Sequence, residues 1–129
     1  MLTLLFTPTI TDAQFFQING NASSSGGGCY ELTPDAKSQL GSIWSPAKVS
    51  LNNSFIVAGR LNFGTKPWWE RGADGIAFAL QPISSNPGNS GAGLGVGGIT
   101  PSLVVEFDTY KNGYDPVVMH YESNALHSY

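Results

Sequence analysis

Between residues 14 and 122 the chain alternates short runs of aromatic and β-branched residues with clusters of glycine, proline, asparagine and serine. That rhythm constrains the fold more than any other feature, because it suits strands of roughly 5–10 residues joined by tight loops and leaves no room for a packed helix. The runs are QFFQI (14–18), CYEL (29–32), LGSIW (40–44), AKVSL (47–51), SFIVAGRLNF (54–63), DGIAFALQ (74–81), SLVVEFDTY (102–110) and PVVMHYE (116–122). One segment, TPDAKSQ (33–39), starts like a helix, with Pro34 after Thr33 and Asp35 in the first turn, and has room for one turn. An all-β architecture follows, and 129 residues suffice for one domain or part of one.

Charged residues make up 12% of the chain against roughly 25% in an average soluble domain. The net charge is −3, and the few Lys and Arg residues form no stripe that could neutralise a phosphate backbone or an anionic bilayer. Nucleic acid is thereby excluded as a natural partner. Cys29 is the single cysteine, so it makes no intrachain disulfide, and its neighbours are not zinc ligands; it reads as a small buried apolar residue. At the amino end, the apolar run of MLTLLFTPTITDAQ leads to Thr11-Asp12-Ala13, which has the small-residue spacing of a signal-peptidase site before Gln14. Residues 1–13 are therefore expected to be a signal-peptide remnant, and the protein to be secreted or displayed at the cell surface. No run is apolar enough for long enough to span a membrane as a helix.

Two glycine-rich stretches punctuate the strands. NASSSGGG (21–28) reads as a flexible loop, and NPGNSGAGLGVGG (86–98) as a longer one. The second is no phosphate cradle, since such a loop needs a helix and a Lys-Ser/Thr pair after it, whereas Ile99-Thr100-Pro101 leads into another strand.

The chemistry concentrates in VVEFDTYKNGYDPVVMH (104–120). Strand alternation puts Leu103, Val105 and Phe107 on one face, expected to enter the core, and Glu106, Asp108 and Tyr110 on the other. Adjacent like charges on one face repel unless a cation or proton compensates them, and the loop KNGYDP can fold Asn112 and Asp115 back toward Asp108. Carboxylate, amide and carbonyl oxygens suit Ca²⁺, which takes about six to eight oxygens at roughly 2.3–2.6 Å. His120 adds an imidazole, which suits a transition metal such as Mn²⁺, so the cluster has the ligands for two ions bridged by Asp108 and Asp115. The plain alternative is a polar strand end running into a solvated loop.

These residues carry a resemblance. VEFDTYKN followed by DPVVMH resembles the metal-binding strand and loop of the legume-type (L-type) lectins, and GADGIAFALQ (72–81) resembles their sugar-binding Ala-Asp-Gly loop. GAGLGVGGI (91–99) is similar to the glycine loop that the family places beside the sugar, and FFQINGNASSSGGGCYELTPDAKSQLGSIW is similar to bacterial secreted members. The order of the motifs is the family's order, and the resemblance covers nearly all of residues 14–120.

The resemblance implies a jelly-roll β-sandwich that binds carbohydrate without cleaving it. Its metal ligands would be Glu106 and His120 for the transition metal, Asp108 and Asp115 for both ions, and Asn112 with the Tyr110 carbonyl for Ca²⁺. Its sugar contacts would be Asp74, Asn112, the Tyr110 ring and a backbone N–H near Gly91 or Gly93. The peptide Ala73-Asp74 would be cis. The family continues past the point matching Tyr129 through further strands and a specificity loop, so residues 14–129 are expected to be the N-terminal part of such a domain. On that expectation the sandwich is incomplete at its C-terminal end, the sheets carry unpaired edges and an under-covered core, and further domains belong to the parent.

Trp68 and Trp69, just before the sugar-loop motif, offer indoles either to a sugar or to the core, and the sequons at Asn21 and Asn52 are too short to carry weight. Two other functions share these residues. A retaining glycosidase on a related sandwich would use Glu106 and Asp108 as its carboxylates, but needs a further glutamate where Tyr110 and Lys111 stand. A sugar-blind adhesion module would keep the fold and lose the site.

Overall fold

The computed structural model describes residues 16–66, 72–83, 85–86, 88–110 and 123–128, the last six as backbone only. Among these residues every regular element is a strand, apart from a three-residue 3₁₀ turn at Gly91–Gly93. In chain order the strands are β1 (Gln17–Gly20), β2 (Ser23–Gly26), β3 (Cys29–Glu31), β4 (Gly41–Trp44), β5 (Gly75–Leu80), β6 (Leu103–Asp108) and β7 (Ser123–Ser128). They form three antiparallel sheets: β1 with β4, β2 with β3, and β5-β6-β7.

The stretch read as a flexible loop at 21–28 is instead half of a hairpin. Ser24 pairs with Tyr30 and Gly26 with Cys29, and the connecting Gly27 and Gly28 have φ of +59° and +77°. Positive φ at both central residues is what a two-residue hairpin turn of matching twist requires, and glycine adopts it without a steric penalty. The strand was hidden because three serines carry no apolar alternation. Tyr30 turns inward to meet Phe16 edge-on, with ring centroids 5.5 Å apart. Cys29, on the opposite face of the same short strand, is exposed, which corrects the expectation of a buried thiol.

The three-stranded sheet positions the site. β5 and β6 pair without a bulge from Gly75↔Asp108 to Leu80↔Leu103, and β6 pairs with β7 from Leu103↔Ser128 to Asp108↔Ser123. Directly opposed residues share a face. One face of β5–β6 therefore carries Ile76, Phe78 and Leu80 with Phe107, Val105 and Leu103, and the other carries Gly75, Ala77 and Ala79 with Asp108, Glu106 and Val104. The pairing of faces is the one that alternation predicts, but the depth of burial is not. Val104, on the face of the acids, is 0% exposed, whereas Leu103 is 42% exposed. Alternation tells which residues share a face; it does not tell which face a neighbouring segment will cover.

Two predicted strands, over 47–51 and 54–63, are absent as strands. Residues 54–63 run without ladder pairing, leaving Phe55, Ile56 and Leu61 exposed, while the Phe63 ring centroid lies 6.4 Å from that of Phe107. The segment 33–39 makes bends and no helical turn, with Ala36 N–H donating to Pro34 O at 2.8 Å. The predicted strand 116–122, the region 1–15 and Trp68-Trp69 lie outside the described residues.

Candidate carbohydrate and metal site

Asp74 and Asp108 are 34 positions apart in sequence and meet at one end of the β5–β6 ladder. Gly75 is the cross-strand partner of Asp108, and beyond that pair Thr109 N–H donates to the Asp74 carbonyl at 2.9 Å. The ladder is thus prolonged by one bond past its last formal pair, which ties the Ala-Asp-Gly loop to the start of the segment that carries Tyr110. Gly75 makes the close approach feasible. Its φ is +153°, and a Cβ there would press into the Phe107 carbonyl and sit 3.0 Å from Asp108 Cα, so only glycine fits without displacement. The Ala73-Asp74 peptide is cis, as the motif implies.

Asp108 caps its own loop. Its Oδ1 accepts the Tyr110 N–H at 2.7 Å, an Asx turn that orients the chain as it leaves β6. Glu106 lies two residues back on the same face, opposite Ala77, and both acids are half-buried. Small residues at 75, 77 and 79 leave the space beside the acids unfilled by side chains of β5. Tyr110 is 42% exposed, so its ring is accessible. Two half-buried oxygen donors on one strand face, one already turned toward the following loop, fit the chemistry of a hard cation. Among the described residues no group of three or more Asp, Glu, His or Cys is assembled; Asn112, Asp115 and His120, which would complete the set, lie outside them.

The glycine loop at residues 88–98 is closed by its own backbone hydrogen bonds. Gly88 N–H donates to Gly95 O at 2.7 Å, Asn89 N–H to Gly97 O at 2.8 Å and Gly95 N–H to Asn89 O at 2.9 Å, so the loop closes on itself through Asn89. Gly93 N–H donates to Ser90 O at 3.4 Å. Gly91 has φ +65° with nothing within 4 Å of the place a side chain would occupy, which leaves its backbone approachable. An open depression of about 330 Å³ lies along the loop, lined by Ile83, Asn86, Asn89 and Thr100 among others. Asn89 holds the loop together and sequence reading passed over it, although Pro87-Gly88-Asn89 is a turn signal in its own right.

Comparison with known proteins assigns the fold to a family. The model of the legume lectin beta-barrel domain matches residues 9–127, and the chain belongs to that family, the L-type lectins, whose β-sandwich its antiparallel sheets represent. Among its relatives is the serine-rich adhesin for platelets of Staphylococcus aureus, at 36% identity over 106 residues in strains USA300 and NCTC 8325 / PS 47. That match takes in 80% of this chain and 5% of the adhesin, and in strain MRSA252 8% of it, so the chain spans less than a tenth of the relatives' length. No solved structure matches the chain at a significant level. Among the described residues no helix is long and apolar enough to cross a membrane.

Proposed function

We propose that this domain is a non-catalytic, metal-dependent carbohydrate-binding module that acts outside the cell. The observation that carries the reading is the bond from Thr109 N–H to the Asp74 carbonyl, which holds the Ala-Asp-Gly loop against the Asp108–Tyr110 segment although neither motif specifies the other. In this account Asp74 accepts hydrogen bonds from sugar hydroxyls, Tyr110 offers its ring to a sugar face, and Asn112 and a glycine-loop N–H complete the polar set. Glu106, Asp108, Asp115, His120, Asn112 and the Tyr110 carbonyl would hold Ca²⁺ and a transition metal such as Mn²⁺, which would supply fixed positive charge at the end of β6. Family membership supports sugar binding, and relatives named as an adhesin for platelets support a surface location and glycoconjugates as partners.

A glycosidase would need a further glutamate near Tyr110-Lys111 and two carboxyl groups free of metal, about 5–5.5 Å apart for a retaining enzyme. The test is a glycan array probed with calcium and with chelator. Signal that disappears on chelation and returns with calcium is expected; signal on no glycan under either condition would replace the lectin by a sugar-blind adhesion module, and release of reducing sugar would replace it by an enzyme.

A further inference from the structure

The glycine loop is internally bonded, yet the ladder that leads into it ends at Leu80↔Leu103, well before the loop body begins at Gly88. Something else must set where that body sits. Two contacts reach it from the first sheet. The Asn19 side chain, half-buried on β1, donates its Nδ2 hydrogen to the Ser85 carbonyl at the loop's entrance. Leu40, just before β4, presses its Cδ1 against the bare face of Gly95, where a Cβ would lie 3.1 Å away.

The segments that carry them are locked to each other through Asn21, two residues after Asn19. Asn21 N–H donates to Leu40 O at 2.8 Å, Leu40 N–H donates to Asn21 Oδ1 at 3.0 Å, and the adjoining register pairs Gly20 with Gly41. One contact is polar and directional and the other apolar and shape-dependent, and they grip the loop at its entrance and at its middle. We infer that the β1–β4 pair is a platform that seats the glycine loop, and that Asn19 is a positioning residue for ligand binding. The link from seating to sugar rests on the carbohydrate reading above; the platform itself does not.

The test uses the whole chain labelled for NMR. Asn19→Asp keeps the side chain's size and removes the donor aimed at Ser85, and Leu40→Ala removes the apolar contact on Gly95 from the platform side while leaving the backbone of the loop unstrained. In both, amide resonances of 85–98 should shift or broaden while those of 75–80 and 103–108 stay in place. Calcium affinity should be unchanged, and affinity for a glycan selected on the array should fall by up to about fivefold, the worth of one net hydrogen bond. Should Asn19→Asp fail to fold, Leu40→Ala decides alone. Loop resonances that stay fixed in the folded variants would overturn the platform. Shifted loop resonances with undiminished glycan affinity would overturn the positioning role. If the wild-type chain binds no glycan, the carbohydrate reading fails, and the resonances still decide whether the platform exists.

Discussion

Gly75 shows how far a single residue constrains the site. Its φ of +153° and the proximity of the Phe107 carbonyl leave no place for a side chain, and a residue forced there either strains or pushes β6 away from β5. Gly75→Ala should cost about 1–3 kcal/mol of stability, the range for a residue held in a sparsely populated backbone region, read as a lowered urea midpoint. An unchanged midpoint would mean that the two strands do not approach as described. Glu106 separates the lectin from the glycosidase at the same scale: Glu106→Gln should keep partial sugar binding, whereas a hydrolase would lose turnover and keep its substrate. Among the bridging and terminal ligands assigned from the motif, Asp115→Ala should abolish sugar binding while His120→Ala weakens it and lowers manganese affinity, because a bridging carboxylate serves both ions. Equal losses in the two variants, measured by calorimetry, would remove the bridging role.

At the level of elements, β6 is the central strand of its sheet, paired with β5 on one side and β7 on the other, and Val104 near its start is fully buried. Val104→Ala deletes two methyl groups there and should cost about 2 kcal/mol, counting transfer and cavity together. A cost under about 0.5 kcal/mol, the level of an ordinary surface change, would contradict the burial. The strands β5 and β6 were legible in the sequence because each alternates cleanly, over 74–81 and 102–110, and the structure places them at 75–80 and 103–108. The meeting of Asp74 with Asp108 was legible only through the paired motifs, since nothing in periodicity joins residues so far apart. The run at 54–63 alternates as well, yet makes no strand, because alternation supplies a face and not a partner with which to pair. Conversely, β2 has a partner and no apolar face, so the sequence marked only its mate at 29–32 and left 21–28 as a loop. The tie from Asn19 to Ser85 left no signal at all: an asparagine's hydrogen bond to a distant carbonyl is a fact of the fold alone.

Across the whole molecule, large apolar side chains stand in water, with Leu51 70%, Ile56 72% and Ile83 59% exposed. Apolar surface of that kind favours association. The isolated chain should self-associate as its concentration rises, and Ile56→Lys should reduce the effect; a sedimentation profile that stays monomeric and unaltered by the substitution would contradict this. The central claim, that metal organises a sugar site where the Ala-Asp-Gly loop meets the end of β6, has its most direct test in calorimetry. Titrating an array-selected glycan into the calcium-loaded chain and into the chelated chain should give saturable heat in the first, none in the second, and recovery when calcium is returned. Undiminished binding by the chelated chain would contradict the account.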